Sequence, residues 1–216
     1  MSVERRRYYL EDTAHIIERG LTFYMDAKGF DNTSKTWTEE KNGYVFQMGS
    51  TAAGAEIYKD DKAIVFPGYK YMFCNDAIID SYMYDQCTIE VCFKGDINTG
   101  YFLYARNVND SPAVMRYQNT LHFSFWSHPI ATNFNSTDFT CASLSSALAV
   151  VNGNQQTQTS ASAWGAGLNG TQTIGIRNNN YTFKGEIYSI AIYNRLLTYE
   201  ERLANYAVYS GVFNPQ

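Results

Sequence analysis

Apolar and polar residues alternate along much of the chain, so that every second side chain is apolar. Leu21, Phe23 and Met25 share one face of a strand predicted over 21–26. Runs of a similar kind predict further strands over 63–66, 88–94, 101–104, 121–126, 147–151, 173–176 and 188–192. Almost no helical pattern separates these runs, which excludes a βαβ architecture and indicates an antiparallel sandwich.

The run over 88–94 predicts a strand with two different faces. Ile89, Val91 and Phe93 are expected to face the core, and Glu90 and Lys94 to face solvent. In the same way, the run over 188–192 predicts that Tyr188, Ile190 and Ile192 line the core. Turn signals separate the strands, above all Asn152-Gly153, which predicts a two-residue hairpin directly after 147–151.

The N-terminal residues predict a helix that lies outside the strand-rich region. Residues 3–19 carry an imperfect apolar stripe, and Gly20 is placed to end the helix. We therefore expect a helical extension over 1–19, followed by one domain over 20–216.

A second, short helix is predicted near the C terminus. Thr198 followed by Glu201 forms a capping box, in which each side chain bonds the backbone N–H of the other residue. Leu203 and Tyr206 are expected to face the sheets from this helix.

Composition and charge narrow the class of protein. Aromatic residues make up 16% of the chain, which suits pleated surfaces and binding faces. The net charge of -4 argues against a nucleic-acid partner, which would require a basic stripe. No apolar run approaches the roughly 18 residues of a membrane span, and no apolar segment follows Arg5-Arg6-Arg7 as in a secretory signal.

The four cysteines show no spacing typical of a metal site. They are Cys74, Cys87, Cys92 and Cys141. We expect four reduced structural thiols, with a Cys87–Cys92 bridge as the alternative.

Several landmarks occur in an order that is known from one family. They are residues 20–26 with 36–38, 66–69, 88–90 and 150–153, then the long closing stretch 183–195 with 197–201 and Asn205-Tyr206. Together they resemble the concanavalin A-like, laminin-G-like domains. The resemblance implies an all-β, two-sheet antiparallel jelly-roll sandwich, to which the N-terminal helix and the short C-terminal helix are added.

The closing stretch looks most like domains of bacteriophage tail and capsid-surface proteins and of bacterial surface proteins. The resemblance implies a non-catalytic virion surface component, either a capsid decoration or a tail- or fibre-associated module, that adheres to host glycans. Its partners would be other virion structural proteins, cell-surface glycans and further copies of itself. It would be assembled in the host cytoplasm, with a bacterial cell surface as the alternative location. A soluble lectin-like carbohydrate-binding protein is the alternative function.

Catalytic patterns are missing from the sequence. A retaining endoglucanase on this fold would need the pattern E-x-D-x-E on one strand face, and the nearest stretches, 56–60 and 85–90, do not supply it. Glu90 and Glu186 are expected to be solubilising surface residues. The three histidines, His15, His122 and His128, lie in no nucleophile motif. We therefore predict no enzyme, and glycoside hydrolysis is the least favoured function.

Loop carboxylates and amides offer a candidate calcium site. The oxygen donors would come from Asp96, Asn98, Asn107, Asn109 and Asp110. The same residue types are typical of turns, and turn geometry explains them without an ion. We therefore expect no cofactor and keep calcium as the alternative.

Aromatic side chains offer a candidate carbohydrate site. Flat rings that stack on sugars would come from Trp164, Trp126, Tyr101, Tyr104 and Tyr117. Burial in the strands explains most of these residues equally well. Trp164, in a loop rich in small residues, is the first of them to test.

Overall fold

The computed structural model describes residues 15–75, 86–95, 101–105, 113–117, 120–123, 128–130, 138–157, 171–177 and 181–214. The elements in this part of the chain, in order, are β1 (Leu21–Asp26), a 3₁₀ turn (Ala27–Gly29), β2 (Phe30–Asp31), β3 (Thr36–Thr38), β4 (Val45–Ser50), β5 (Tyr58–Asp60), β6 (Ala63–Pro67), β7 (Lys70–Cys74), β8 (Thr88–Gly95), β9 (Tyr101–Ala105), β10 (Ala113–Tyr117), β11 (Thr120–Phe123), β12 (His128–Ile130), β13 (Thr140–Leu144), β14 (Ala149–Val151), β15 (Asn154–Gln156), β16 (Gln172–Ile174), β17 (Ile176–Arg177), β18 (Tyr181–Thr182), β19 (Lys184–Tyr193) and helix α1 (Tyr199–Phe213).

Two antiparallel sheets contain these strands, apart from the short β17–β18 hairpin. Sheet A has the order β15-β14-β13-β8-β19-β6-β5, and β1 also pairs with β19. Sheet B has the order β12-β11-β10-β9-β16-β7-β4-β3-β2. The predicted all-β sandwich is therefore confirmed.

The long strand β19 organises sheet A. On one side it pairs with β8 along most of its length. On the other side its first half pairs with β6, and its second half pairs with β1, where Met25 lies opposite Ile190. The first and last strands of the described chain are therefore neighbours.

The core lies between the two sheets. Sheet A contributes Ile89, Val91 and Phe93, which face inward as predicted, and sheet B contributes Phe46 and Met72. In the loop region that the family resemblance marked, the buried indole of Trp37 donates a hydrogen bond to the carbonyl oxygen of Asp26 at 2.7 Å. The aromatic side chain thereby holds the end of β1 against the core.

Tyr188 departs from the predicted core. A β-bulge between Ile187 and Ser189 shifts the alternation of β19, so that Ile187, Ile190 and Ile192 face the core. The ring of Tyr188 lies on the other face, 5.2 Å from that of Phe139. The prediction was wrong for Tyr188 because a bulge adds one residue to a period of two.

Helix α1 covers the outer face of sheet A, and its cap is the predicted one. The Thr198 hydroxyl accepts from the Glu201 N–H, and the Glu201 carboxylate accepts from the Thr198 N–H. The same carboxylate receives two bonds of 2.7 Å from the guanidinium of Arg195. This pairing lowers the pKa of Glu201 to about 2. The residues that carry the family resemblance therefore close the fold.

Leu203 and Tyr206 face sheet A from α1 as predicted, but the most buried residues of the helix are others. Arg202, Asn205 and Tyr209 are its buried residues, whereas Leu203 and Tyr206 are partly buried. These two side chains lie against Gly153 in the β14–β15 hairpin of sheet A, and Tyr206 also packs beside Cys92 and Cys141. The helix thus packs on sheet A through the polar groups of Arg202 and Asn205 together with aromatic rings.

A disulfide joins Cys92 on β8 to Cys141 on β13. The two residues are directly opposite each other in the β8–β13 ladder, under α1. Cys74 and Cys87 are buried thiols. The expectation of four reduced thiols was wrong for one pair, and the alternative Cys87–Cys92 bridge does not form. Cysteines 49 residues apart give no sign of pairing in the sequence.

Residues 15–20 lead into β1 without helical structure. The Ile17 N–H donates to Asn205 Oδ1 at 2.7 Å, and the Lys41 ammonium lies 2.6 Å from the Glu18 carboxylate. Of the helix predicted over 3–19, only 15–19 fall within the described residues, and these form no helix: 15–18 have no regular secondary structure and residue 19 begins a turn. No helix of the described chain is long and apolar enough to span a membrane.

Candidate functional site

A buried polar network lies between α1 and sheet A, with Glu90 at its centre. Glu90 Oε1 accepts from the Ser143 hydroxyl at 2.7 Å. Its Oε2 accepts from the Asn205 amide at 2.8 Å and from the Tyr209 hydroxyl at 3.0 Å. Glu90 was predicted to face solvent but is 2% exposed, because the helix covers the face of β8 on which it lies.

Arg202 supplies the positive charge of this network. Its guanidinium donates to Ser143, to the hydroxyls of Thr88 and Ser145, and to the carbonyl oxygen of Leu197. Burial lowers the pKa of Arg202 to about 10, which leaves it protonated at neutral pH. Burial also raises the pKa of Glu90, against the opposing effect of its three hydrogen-bond donors.

The network has no space for a substrate. A cavity of only about 10 Å³ lies between Glu90, Ser143, Arg202 and Tyr209. A glutamate with a raised pKa is a feature of many active sites, but here its carboxylate is fully engaged by donors of the fold. We assign this network to the packing of α1.

The outer face of sheet B carries partly exposed aromatic side chains. Met72 and Cys74 of β7 belong to the core, so Tyr71 and Phe73 face away from it. The two rings are 6.0 Å apart and inclined at 49°. Gln47 lies opposite Phe73 on β4, and Thr173 lies opposite it on β16. The face thus combines flat apolar surfaces with a side-chain amide.

Tyr71 lies flat on the sheet because residue 49 is glycine. Gly49 is opposite Tyr71, and a Cβ at this position would come within 2.7 Å of the Tyr71 hydroxyl oxygen. The ring covers the bare backbone of Gly49, a position that any other residue would fill.

Tyr69 continues this row directly before the first residue of β7. Its side chain is 58% exposed, and its backbone has a positive φ of 62°. An aromatic residue rarely adopts this conformation, so surrounding contacts must hold it. Its N–H donates to Thr182 Oγ1 at 3.1 Å, and its carbonyl oxygen accepts from the N–H and hydroxyl of Thr51. Tyr69, Tyr71 and Phe73 are hereafter called the aromatic row.

A groove of about 460 Å³ lies on the other side of the molecule, between residues 15–21, β1 and α1. Its wall includes Asp26 and Glu40, and both burial and the nearby carboxylate of Asp26 raise the pKa of Glu40. His15, the first described residue, lies in this wall, so the described residues do not define the whole groove. We therefore assign no ligand to it.

Three of the five predicted carbohydrate-binding residues lie in strands that the structure describes. Tyr101 and Tyr104 lie on β9, and Tyr117 lies on β10, with the backbone alone described. Strand β9 is separated from β7 by β16 alone, so sheet B brings these positions close to the aromatic row. Trp126 and Trp164 lie outside the described residues.

The predicted calcium residues all lie outside the described residues. They are Asp96, Asn98, Asn107, Asn109 and Asp110. Within the described ranges, no group of three or more histidine, cysteine, aspartate or glutamate side chains is arranged to hold a metal ion. The calcium site stays a prediction.

The aromatic row itself was missed in the sequence. Residues 69–74 alternate aromatic residues with Lys70, Met72 and Cys74. This is a period of two with large side chains on both faces, which is typical of a strand whose outer face also makes contacts. That signal was available and could have located the row.

The fold is shared with several solved structures. No protein-family model matches the sequence, and no curated protein matches it either. Domain 4 of a GH43 extracellular arabinanase, AbnA of Geobacillus stearothermophilus, in complex with arabinotriose, superposes with a TM-score of 0.67 at 15% identity over 87% of this chain and 98% of that domain.

Two other similar structures are larger proteins. Trypanosoma rangeli sialidase in complex with the inhibitor DANA has a TM-score of 0.62 at 12% identity, covering 94% of this chain and 36% of the sialidase. The binding domain of botulinum neurotoxin DC, in complex with rat synaptotagmin II, has a TM-score of 0.57 at 12% identity, covering 87% of this chain and 51% of that one. The chain therefore spans about a third to a half of these two proteins, and at this identity the likeness defines a β-sandwich fold alone.

Proposed function

We propose that this protein is a non-catalytic carbohydrate-binding module of the laminin-G-like kind, which binds a glycan on the outer face of sheet B. The aromatic row carries the proposal. Tyr71 and Phe73 present rings beside the Gln47 amide, and sugars are held by just this pairing of flat apolar faces with hydrogen-bonding groups. On the opposite side of the sandwich, α1 covers the described part of sheet A over the polar network, which leaves a cavity of only about 10 Å³.

The arabinotriose-bound domain supports the proposal at the level of fold, because this chain matches almost its full length. The absence of an enzyme function is part of the proposal. The buried carboxylate of Glu90 has no substrate cavity, and the sequence lacks paired carboxylates on one strand face.

Binding to a panel of plant, bacterial and animal polysaccharides tests the function. Tyr71→Ala and Phe73→Ala should each weaken the binding of a recognised glycan about tenfold, since each removes one stacking ring. Tyr58→Ala is the control, because Tyr58 is a tyrosine that is more exposed than either ring and lies on the edge strand β5 of sheet A. Equal losses in all three variants, or release of sugar from any polysaccharide, would contradict the proposal.

No bound ion is required by this proposal. Binding measured with and without EDTA should be the same, because aromatic and amide contacts need no metal. Loss of binding in EDTA would instead support the calcium alternative at Asp96, Asn98 and the neighbouring loop.

The proposed setting is the surface of a phage particle, with a bacterial cell surface as the alternative. The resemblance of the closing strand and helix favours it, and the Cys92–Cys141 disulfide suits a protein that meets an oxidising environment. Mass spectrometry of purified particles, and the identity of neighbouring genes, test the virion setting directly.

A further inference from the structure

Lys70 is a buried cation that meets no anionic group among the residues the structure describes. The residue is 9% exposed, and its ammonium donates to the Ser50 hydroxyl at 2.8 Å and to the Ala52 carbonyl oxygen at 3.1 Å. No carboxylate of the described residues pairs with it, whereas Lys35 and Lys41 each contact a glutamate. Buried charges in proteins are normally paired, and an ammonium has three N–H groups of which these contacts use two.

The ammonium lies at the edge of the sandwich that also carries Tyr69. The loop 51–54 is attached to Tyr69 through the bond from the Thr51 N–H to the Tyr69 carbonyl oxygen at 2.9 Å. The same loop supplies the Ala52 carbonyl oxygen that accepts from Lys70. The Tyr69 ring lies 3.9 Å from the Cβ position of Gly54, so this ring and the Lys70 ammonium both lie beside the exposed loop, next to the exposed residue Ser50.

A second lysine lies near the turn before Tyr69. The exposed residue Lys184 pairs with Pro67, at the start of the turn that leads to Tyr69. Two lysines thus flank this turn. An anion here would gain a charge-assisted hydrogen bond from the N–H of the Lys70 ammonium that the two described contacts leave over.

We propose that Lys70 makes this module selective for acidic glycans. The ammonium binds a carboxylate or sulfate group of the saccharide, while the Tyr69 ring contacts the sugar that carries it. This inference rests on the proposed carbohydrate function and adds the chemical class of the ligand. The shared chemistry is a singly charged oxyanion on a sugar ring, from a uronic acid or from a sulfate ester.

Binding to matched pairs of polysaccharides separates the two sources. The pairs are polygalacturonate against its carboxyl-reduced form, and dextran sulfate against dextran. The wild-type protein should prefer the charged member of one pair at least about tenfold. Lys70→Met should remove that preference. Lys94→Met, which deletes an exposed lysine on sheet A, should retain it.

A second variant tests the idea in a chain that keeps Lys70. Ser50→Asp places a carboxylate beside the ammonium and should abolish the preference without removing the lysine. Circular dichroism and a thermal melt of each variant establish that it is folded. If either folded variant keeps the full preference for the charged polysaccharide, the inference is overturned.

The outcomes distinguish this inference from the proposed function. Equal affinity of the wild-type protein for charged and neutral members overturns the role of Lys70 and leaves the glycan-binding function standing. If no polysaccharide binds, the proposed function fails, and galacturonic acid and inorganic sulfate then probe the ammonium alone. A thermal shift that Lys70→Met loses and Lys94→Met keeps would support an anion site there, and identical shifts in all three proteins would overturn it.

Discussion

Glu90 and Arg202 are oppositely charged residues that the fold buries under one helix. The two side chains are connected through Ser143. Its hydroxyl group donates a hydrogen bond to the Glu90 carboxylate and accepts one from the Arg202 guanidinium. Every donor of the guanidinium is used. Such a network stabilises the native state when complete and is costly when one member is lost. Its role is therefore visible in the pH dependence of stability.

Glu90→Gln should change how stability varies with pH. Burial raises the folded-state pKa of Glu90, so above the ordinary carboxyl pKa of about 4.3 the folded protein retains a proton that the unfolded chain releases. This contribution is fully present below that pH and is lost as the pH rises through the folded-state pKa. The free energy of unfolding of the wild-type protein should therefore fall with rising pH relative to that of Glu90→Gln.

Urea unfolding of both proteins from pH 4.5 to pH 8 measures this difference. Glu200→Gln is the control, because Glu200 is exposed in the first turn of α1. The free energy of unfolding of this variant should vary with pH in the same way as that of the wild-type protein. A constant difference between Glu90→Gln and the wild-type protein over the whole range would contradict the buried position of Glu90.

At the scale of elements, the contact between α1 and the β14–β15 hairpin depends on glycine. Gly153 has a φ of 76°, and a Cβ there would come within 3.0 Å of the Tyr206 ring. Gly43 has the same φ, and nothing lies within 4 Å of its Cβ position. Gly43→Ala should cost about 1 kcal/mol from backbone strain, and Gly153→Ala about 1 kcal/mol more because the helix must move.

Urea unfolding of the two alanine variants checks this expectation. Adding Tyr206→Ala to each should reduce the difference, since the ring that a Cβ at residue 153 would meet is then gone. Equal destabilisation by Gly153→Ala and Gly43→Ala would mean that the helix does not rest on the hairpin.

The elements were largely predictable from sequence, and their contacts were not. The alternation of apolar and polar residues predicted the bounds of β1, β6 and β8 to within about one residue. A strand that buries one face has an apolar residue at every second position, and this pattern is visible in the sequence. Local residue order also predicted the Asn152-Gly153 hairpin and the capping box at Thr198.

The unpredicted features depend on which elements meet in space. Glu90 is indistinguishable from a surface residue until α1 is known to cover β8. The Cys92–Cys141 bond requires the register of β8 against β13. Lys70 could be read as an ordinary polar position in a strand, since only the fold shows that its ammonium meets a hydroxyl and a carbonyl oxygen, and no carboxylate of the described ranges.

For the molecule as a whole, the disulfide is the largest single constraint on the unfolded chain. It joins residues 49 positions apart, and closing a loop of this length is worth about 4 kcal/mol in the chain-entropy account. Reduction by dithiothreitol should lower the free energy of unfolding by about this amount. The double variant Cys92→Ala/Cys141→Ala should be insensitive to the reductant.

Alkylation provides an independent measurement of the same bond. In the unfolded, unreduced protein, iodoacetamide should label Cys74 and Cys87 and leave Cys92 and Cys141 unmodified. Labelling of all four residues without reductant would contradict the disulfide.

The pairing of β1 with β19 has a consequence for synthesis of the protein. A ribosome releases β1 early, but its partner emerges only after nearly all the other strands, so sheet A stays open at its centre during translation. During that interval the apolar face of β1 is exposed, and it must be covered either by chaperones or by transient contacts within the nascent chain. Yield in a host should therefore respond to translation speed and chaperone supply more than to changes on the finished surface.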